Sequence, residues 1–255
     1  MQLIDTHTHL YSSQFDADRA ETVKRAIAAG VTHFFLPAID QTHTEAMLAL
    51  KAAFPKEMHL MMGLHPTSVK ENYKEELAHV KQWLDKQNFV AIGEIGMDLY
   101  WDKTFIKEQQ EAFRLQIQWA KERKLPIVIH CRDAFDEVFE VLESEKSNDL
   151  YGIFHCFTGT LAQAKKAISY NMKLGIGGVV TFKNGKIDQF LNQISLENLV
   201  LETDSPYLAP TPYRGKRNES SYIKLIAEKL AEIHQVSVAE IAAVTSKNAL
   251  AVFTI

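Results

Sequence analysis

A single TIM-type (β/α)8 barrel is the fold class this chain predicts, and three observations predict it. Short β-branched runs alternate with longer amphipathic segments from one end to the other. Eight such runs fit within 255 residues, the usual size of one α/β barrel. Several runs lack polar alternation, as in Ile127-Val128-Ile129 and Leu199-Val200-Leu201, which suits parallel strands covered on both faces. Alternation by itself also admits a doubly wound open sheet.

Strands are expected near 2–6, 31–37, 58–63, 89–93, 126–130, 151–155, 173–177 and 198–202. Between them, residues 17–29 carry Ala20, Val23 and Ile27 at helical spacing and stop at Gly30, a C-cap signal. Residues 104–124 place Phe113, Ile117 and Ala120 on one face and end before Pro126. Ser237 and Glu240 have capping-box spacing and open the last helix. Asp133 reads as an N-cap for a helix beginning at Ala134. There is no linker, low-complexity stretch or clear internal repeat, so one domain over residues 1–255 is expected.

Composition narrows the function classes. Lys and Arg number 28 against 32 Asp and Glu, a formal charge of −4, which excludes a uniformly basic coat for nucleic acid but not a local cationic patch. No apolar run approaches the ~20 residues that span a bilayer, and no membrane partner is expected. The first residues lack a signal-peptide pattern, and Cys131 and Cys156 cannot make a disulfide framework. A cytoplasmic protein with reduced thiols is the simplest expectation.

The chemistry-bearing residues sit where barrels keep their active sites. His7 and His9 follow the first strand, two residues apart, and so project to one side. Glu94, His130, His155 and Asp204 each follow a further apolar run. One polar strand end meets water in many proteins. Five strands delivering His and carboxylate groups to one rim point instead to metal. Four His and two carboxylates exceed the needs of one ion with an open position, so two divalent ions bridged by Glu94 are expected.

His65, in Gly-Leu-His-Pro after the third strand, points at the same rim as a substrate contact or a supporting residue. Arg132 could meet a phosphate or form an ordinary salt bridge. Arg214, Lys216 and Arg217 follow the eighth strand, a phosphate-binding position in many barrels, and form a candidate anion clamp beside Gly215. The remaining histidines (His33, His43, His59, His79 and His234) lie inside predicted strands or helices without partner ligands and read as ordinary residues.

The combination resembles the TatD family of metal-dependent deoxyribonucleases, within the amidohydrolase-like metal barrels. The matching stretches are Ile-Asp-Thr-His-Thr-His-Leu at 4–10, Gly-Leu-His-Pro at 63–66 and Ala-Ile-Gly-Glu-Ile-Gly-Met-Asp at 91–98. They continue at 125–134, 155–159, 201–210 and 214–219, covering nearly the whole chain in order. The resemblance implies metal binding by His7, His9, Glu94, His130, His155 and Asp204, the six already selected by strand position. Ser220 stands where the family usually has proline, and Leu99 precedes Tyr100 where the family often has tyrosine directly after the aspartate.

The implied activity is exonuclease-type hydrolysis of DNA, with Asp204 and Glu94 as the catalytic carboxylates and Glu202 as a supporting partner of Asp204. Mixed His and carboxylate donors suit Zn²⁺ or Mn²⁺, while the resemblance points to Mg²⁺. The rival is an amidohydrolase cleaving a C–N or ester bond of a small molecule. Many such barrels bridge their ions with a carbamylated lysine after the fourth strand, where Glu94 stands here. A metal or nucleic-acid sensor without turnover is a third class, opposed by the complete ligand set.

Overall fold

All eight expected strands pair in parallel and in chain order. They are β1 (Leu3–Asp5), β2 (Val31–Pro37), β3 (Met58–Met62), β4 (Ala91–Asp98), β5 (Ile127–Arg132), β6 (Gly152–Phe154), β7 (Met172–Ile176) and β8 (Leu199–Leu201). The structure is a computed structural model that describes residues 1–255. The Thr6 N–H donates to the Leu201 carbonyl at 3.0 Å, and Thr8 bridges Ser205, so the ends of the sheet meet and the barrel closes.

Helices follow six of the strands: α1 (Arg19–Ala28), α2 (Thr44–Ala53), α3 (Tyr73–Lys86), α4 (Ile106–Arg123), α5 (Phe135–Ser144) and α6 (Leu161–Ser169). Only short 3-10 turns connect β7 to β8, and two helices, α7 (Ile223–His234) and α8 (Val238–Phe253), come after β8. α1 ends with Ala29, one residue before the expected Gly30, in the cap position; Gly30, at φ 100°, follows it and bonds its N–H to the Ile27 carbonyl, and, as expected, Ser237 Oγ accepts the Glu240 N–H at the start of α8. Asp133 does not cap α5. It takes a left-handed conformation at φ 51°, Ala134 occupies the cap position, and no side chain caps that helix. No single helix is long and apolar enough to cross a membrane.

Alternate strand residues divide the core. Leu3, Phe34, Leu36, Ile92, Ile127 and Ile129 face the helical shell, while Ile4, Phe35, Met61, Ala91, Val128, Ile153 and Val200 form a separate apolar cluster inside the barrel. Ala249, Val252 and Phe253 of α8 join that inner cluster, with Phe253 stacked on Phe35 at 3.7 Å. Asn248 of α8 also donates to the Leu196 and Leu199 carbonyls at the start of β8. The N-terminal end of the barrel is thus sealed by α8, and polar residues gather at the other end.

One strand is longer than its sequence suggests. β4 does not stop near residue 93 but runs to Asp98, with an irregular register between Ile92 and Ile95 against β5. Glu94 therefore lies within a strand, as does His130. Gly96 permits this: at φ 135° it lies so close to β5 that a Cβ would come within 2.1 Å of the His130 carbonyl oxygen. A side chain at residue 96 would push Glu94 away from His130.

Candidate active site

The C-terminal mouth of the barrel holds a cavity of about 550 Å³ lined by His9, His65, Glu94, His130, His155 and Asp204, among others. Two chain segments beyond the strands shape it. Asp5 accepts from the N–H and hydroxyl of Thr203 (2.9 and 2.6 Å), the Asp204 N–H donates to the His7 carbonyl, and the His9 N–H donates to the Ser205 carbonyl. This zipper sets His7 and His9 beside Asp204. Burial pushes the Asp5 carboxyl up to about 7 against these hydrogen bonds. Ser220 adds its hydroxyl to the same layer, 3.3 Å from Thr8 Oγ1, a contact proline could not make.

Glu94 is the centre of the cluster. It is buried, and each of its oxygens faces its own set of imidazoles. Oε2 lies 3.0 Å from His7 Nε2 and 3.8 Å from His9 Nε2. Oε1 lies 2.7 Å from His130 Nδ1, 3.2 Å from His65 Nε2 and 3.6 Å from His155 Nε2. Asp204 Oδ1 completes the first set, 3.5 Å from His9 Nε2 and 4.0 Å from His7 and His155 Nε2. Burial opposes ionisation of both carboxylates, but the surrounding imidazoles outweigh it and hold both below the usual carboxylate range.

The outer partners of the histidines decide which nitrogen faces inward. Tyr11 donates its hydroxyl to the Pro37 carbonyl at 2.5 Å, so its oxygen accepts from His9 Nδ1–H at 2.8 Å, leaving the Nε2 lone pair toward the cluster. His130 stands between two carboxylates, with Nε2 2.9 Å from Asp98 and Nδ1 2.7 Å from Glu94, and although burial opposes it these two partners raise its pKa. His155 Nδ1 stands 2.9 Å from Glu202 Oε1, off the hydrogen-bond direction, with Nε2 inward. His65 differs: its Nδ1 accepts the Thr67 N–H at 3.1 Å, so the neutral ring carries its proton on Nε2, facing Glu94. Burial lowers its pKa despite Glu94, and a neutral ring results. It is built as a proton donor rather than a lone-pair ligand.

The donor set fits metal. His7 and His9 Nε2 are 3.3 Å apart, and a tetrahedral ion with ~2.0–2.1 Å metal–nitrogen bonds separates two ligand nitrogens by about that distance. Nitrogen and oxygen donors converge in two overlapping groups, His7–His9–Glu94 and His7–His155–Asp204, and a third joins Glu94 to His130 and His65. Outer acceptors on His9 and His130 are what metal-binding imidazoles require to fix ring and tautomer, and the Glu202 carboxylate stands beside His155 Nδ1. Glu202 serves here under His155, not under Asp204 as expected. Gly175 makes room for it, since a Cβ there would sit 2.2 Å from Glu202 Oε2.

The cations fare unequally. Arg132 has no carboxylate partner. Its guanidinium lies 3.8 Å from the centre of the Tyr100 ring at the cavity wall. Arg214 rests 3.7 Å over Phe182 and, like Lys216, is exposed without an ion pair, but neither lines the central cavity. Arg217 is not free for substrate. It forms a two-pronged pair with Asp18 at 2.7 and 2.8 Å, bonds the Gln14 carbonyl and covers Phe15. The expected clamp therefore loses one member to the fold. Arg217→Ala should lower stability by roughly 1 kcal/mol, about 2–4 °C in Tm, and leave the salt dependence of substrate binding unchanged. A flatter salt slope at unchanged Tm would reverse that assignment.

Among the histidines expected to be ordinary, His33 and His59 bond each other at 2.9 Å away from the cavity. His43 pairs with Asp40 at 2.8 Å and does line the cavity. The partners Asp98 and Tyr11 went unrecognised in the sequence. Asp98 lay inside the matching stretch at 91–98, but it was hidden by ending the strand at residue 93.

Fold and site together place the chain among the metal-dependent hydrolase barrels, with a His and carboxylate cluster at the C-terminal mouth. More narrowly, the chain belongs to the TatD family, since residues 4–254 match the family described as TatD related DNase. It is 41% identical over 255 residues to YabD of Bacillus subtilis, an uncharacterized metal-dependent hydrolase, covering 99% of each chain. It is 30% identical to YcfH of Escherichia coli K12, likewise named an uncharacterized metal-dependent hydrolase, over 100% of this chain and 97% of that one. Among solved structures, the TatD homologue YjjV of E. coli K12 superposes with a TM-score of 0.93 at 28% identity, covering 99% and 98% of the two chains.

Proposed function

We propose that the chain is a two-metal deoxyribonuclease that hydrolyses phosphodiesters at DNA strand ends. The observation that carries this reading is the division of Glu94, whose Oε2 faces His7 and His9 while Oε1 faces His130 and His155. One ion would be held by His7, His9, Glu94 and Asp204, the other by Glu94, His130 and His155. Zn²⁺, Mn²⁺ and Mg²⁺ are the metals to test. Such ions supply Lewis acidity to phosphoryl oxygens and a lowered pKa to water.

The chain's own groups do the rest. Asp204 Oδ1, ionised and acceptor-only, takes a proton from the attacking water. The water oxygen bonds to phosphorus as the bond to the leaving oxygen breaks; that oxygen takes up a proton from solvent while Asp204 later returns its own to solvent, so one water is consumed per bond cleaved. His65 donates Nε2–H to a phosphoryl oxygen. Arg132 meets the next phosphate with its unpaired N–H edges, and Arg214 and Lys216 attract the strand farther out. A cytosolic setting accompanies this reading, supported by the free thiols of Cys131 and Cys156.

Labelled single-stranded DNA assayed with each metal beside a panel of N-acyl amides and lactones tests the reading. Release of nucleotides is expected. Turnover of an amide or lactone without DNA hydrolysis would establish the amidohydrolase alternative.

Metal uptake should also be coupled to protons. Burial lowers the pKa of His155, but Glu202, Glu94 and Asp204 outweigh it and raise the ring to about 10. At neutral pH the ring therefore holds a proton that an incoming ion must displace. Affinity should rise with pH below that value, by about tenfold per unit for each proton displaced. Calorimetry in buffers of different ionisation enthalpy should show at least one proton released. Uptake without release would remove His155 from the ligand set.

A further inference from the structure

We propose that His43 anchors a phosphate monoester at the end of the strand, so that phosphate-ended strands are preferred to hydroxyl-ended ones; this rests on the phosphodiesterase reading above. Five histidines stand apart from the metal cluster and His65. His33 and His59 bond each other, His79 Nε2 meets the Thr44 hydroxyl at 2.9 Å, and His234 ends α7. His43 alone of the five lines the cavity that holds Glu94, Asp204 and Arg132.

Asp40 fixes the His43 ring. Its Oδ1 stands 2.8 Å from His43 Nδ1 and accepts the Thr42 N–H and hydroxyl at 3.0 and 2.6 Å. Its Oδ2 accepts the Ser68 hydroxyl at 3.1 Å. Burial opposes ionisation of this carboxyl, but His43, Thr42 and Ser68 outweigh it and hold it below the usual range. The bond to Asp40 in turn raises the pKa of His43 against partial burial and favours the imidazolium. In that form Nδ1–H is spent on Asp40, while Nε2–H has no partner in the protein and the side chain is 38% exposed. The cavity wall thus carries a charged donor with nothing to donate to.

Its position suits the phosphate next to the one being cleaved. Tyr11 meets both His43 and His9 edge to face, with ring centres 6.0 and 5.7 Å away, and its hydroxyl holds His9. His43 is therefore one side chain removed from the cluster. The loop is braced, because Ser68 binds Asp40 and the His65 N–H donates to the Ile39 carbonyl at 2.8 Å. Arg132, the other cation on the wall, comes from β5, three strands round the barrel from β2.

The closed barrel explains why an end is bound. With α8 filling the opposite opening, a strand cannot thread through and enters end first. A terminal monoester carries about −1.5 to −2 charges at pH 7, against one for an internal diester. Asp40 cancels much of the imidazolium's field at long range, so the gain comes from direct contact. A charge-assisted hydrogen bond is about twice as strong as a neutral one, which is all that a hydroxyl end can form.

The test uses the full chain and single-stranded thymidine oligonucleotides phosphorylated at the 5′ end, at the 3′ end or at neither. Each carries a dye at the opposite end, and hydroxyl-ended controls carry the matching dye. Anisotropy in EDTA reads Kd, and release of the first nucleotide with divalent metal reads KM and kcat. Wild type should bind one of the two phosphate-ended strands about tenfold more tightly than its control. His43→Gln should reduce that preference to within about twofold, leave Kd for the control unchanged, and raise KM for the phosphate-ended strand rather than lower kcat. The inference is overturned if wild type prefers neither phosphate-ended strand, or if His43→Gln keeps the preference. It is also overturned if His43→Gln weakens phosphate-ended and hydroxyl-ended strands alike, since the ring would then be structural. Failure of the phosphodiesterase reading looks different, because wild type would then release nucleotide from none of the strands with any metal.

Discussion

Glu94→Gln is expected to abolish hydrolysis and strip the protein of most of its metal while leaving it folded. The carboxylate lies within 4 Å of five imidazoles and is nearly inaccessible to water, so its charge compensates the whole cluster. The amide keeps the volume but loses that charge, and its NH₂ group can only donate, so one of the two oxygens that face the imidazoles no longer offers a lone pair. Activity should fall by about 10³-fold or more, and metal affinity by at least the roughly 10–100-fold that loss of an outer partner alone costs. Metal analysis and circular dichroism on the same preparation check both halves. A variant that holds two ions per chain and turns over normally would show that Glu94 bridges nothing.

Asp204→Asn should cost about 10²- to 10⁴-fold in kcat, the usual range for loss of a positioned proton acceptor. Its backbone anchors, Asp204 N–H to the His7 carbonyl and Tyr207 N–H to the Asp204 carbonyl, do not involve the side chain, so the mouth should keep its shape. The amide can still coordinate weakly but cannot accept the proton of the attacking water. Retention of more than about a tenth of wild-type kcat, ~1.4 kcal/mol in barrier, would exclude Asp204 as the base. The two substitutions separate the roles, since metal should leave with Glu94 and stay, in part, with Asp204 altered.

Much of this site was legible because its chemistry is carried by residues that end or follow apolar strands. His7, His9, His155 and Asp204 could be assigned to one rim by counting from a hydrophobic run. Glu94 was assigned to the rim by a mistaken boundary. Gly93, Glu94 and Gly96 look like a strand ending, and only the close passage of β4 against β5 carries the strand on to Asp98. The pairings Asp98–His130 and Tyr11–His9 depend on which side chains the barrel brings together, which no local pattern encodes. Arg217 and Asp18 are 199 positions apart, so a cation that looks free in its loop is tied to the entry of α1. The stretch between β7 and β8 has turns instead of a helix, consistent with Gly177, Gly178 and Gly185 interrupting any long amphipathic run.

The seal formed by α8 at the far end gives the barrel a single doorway. Phe253 against Phe35 leaves no passage through the interior, so whatever enters past Trp101 and Tyr207 must leave the same way. For a polymer substrate, a released nucleotide has to exit beside the strand that still occupies the entrance. On the proposed deoxyribonuclease reading the strand would have to retreat or lift before the next residue is positioned, and the free nucleotide would compete for the vacated place.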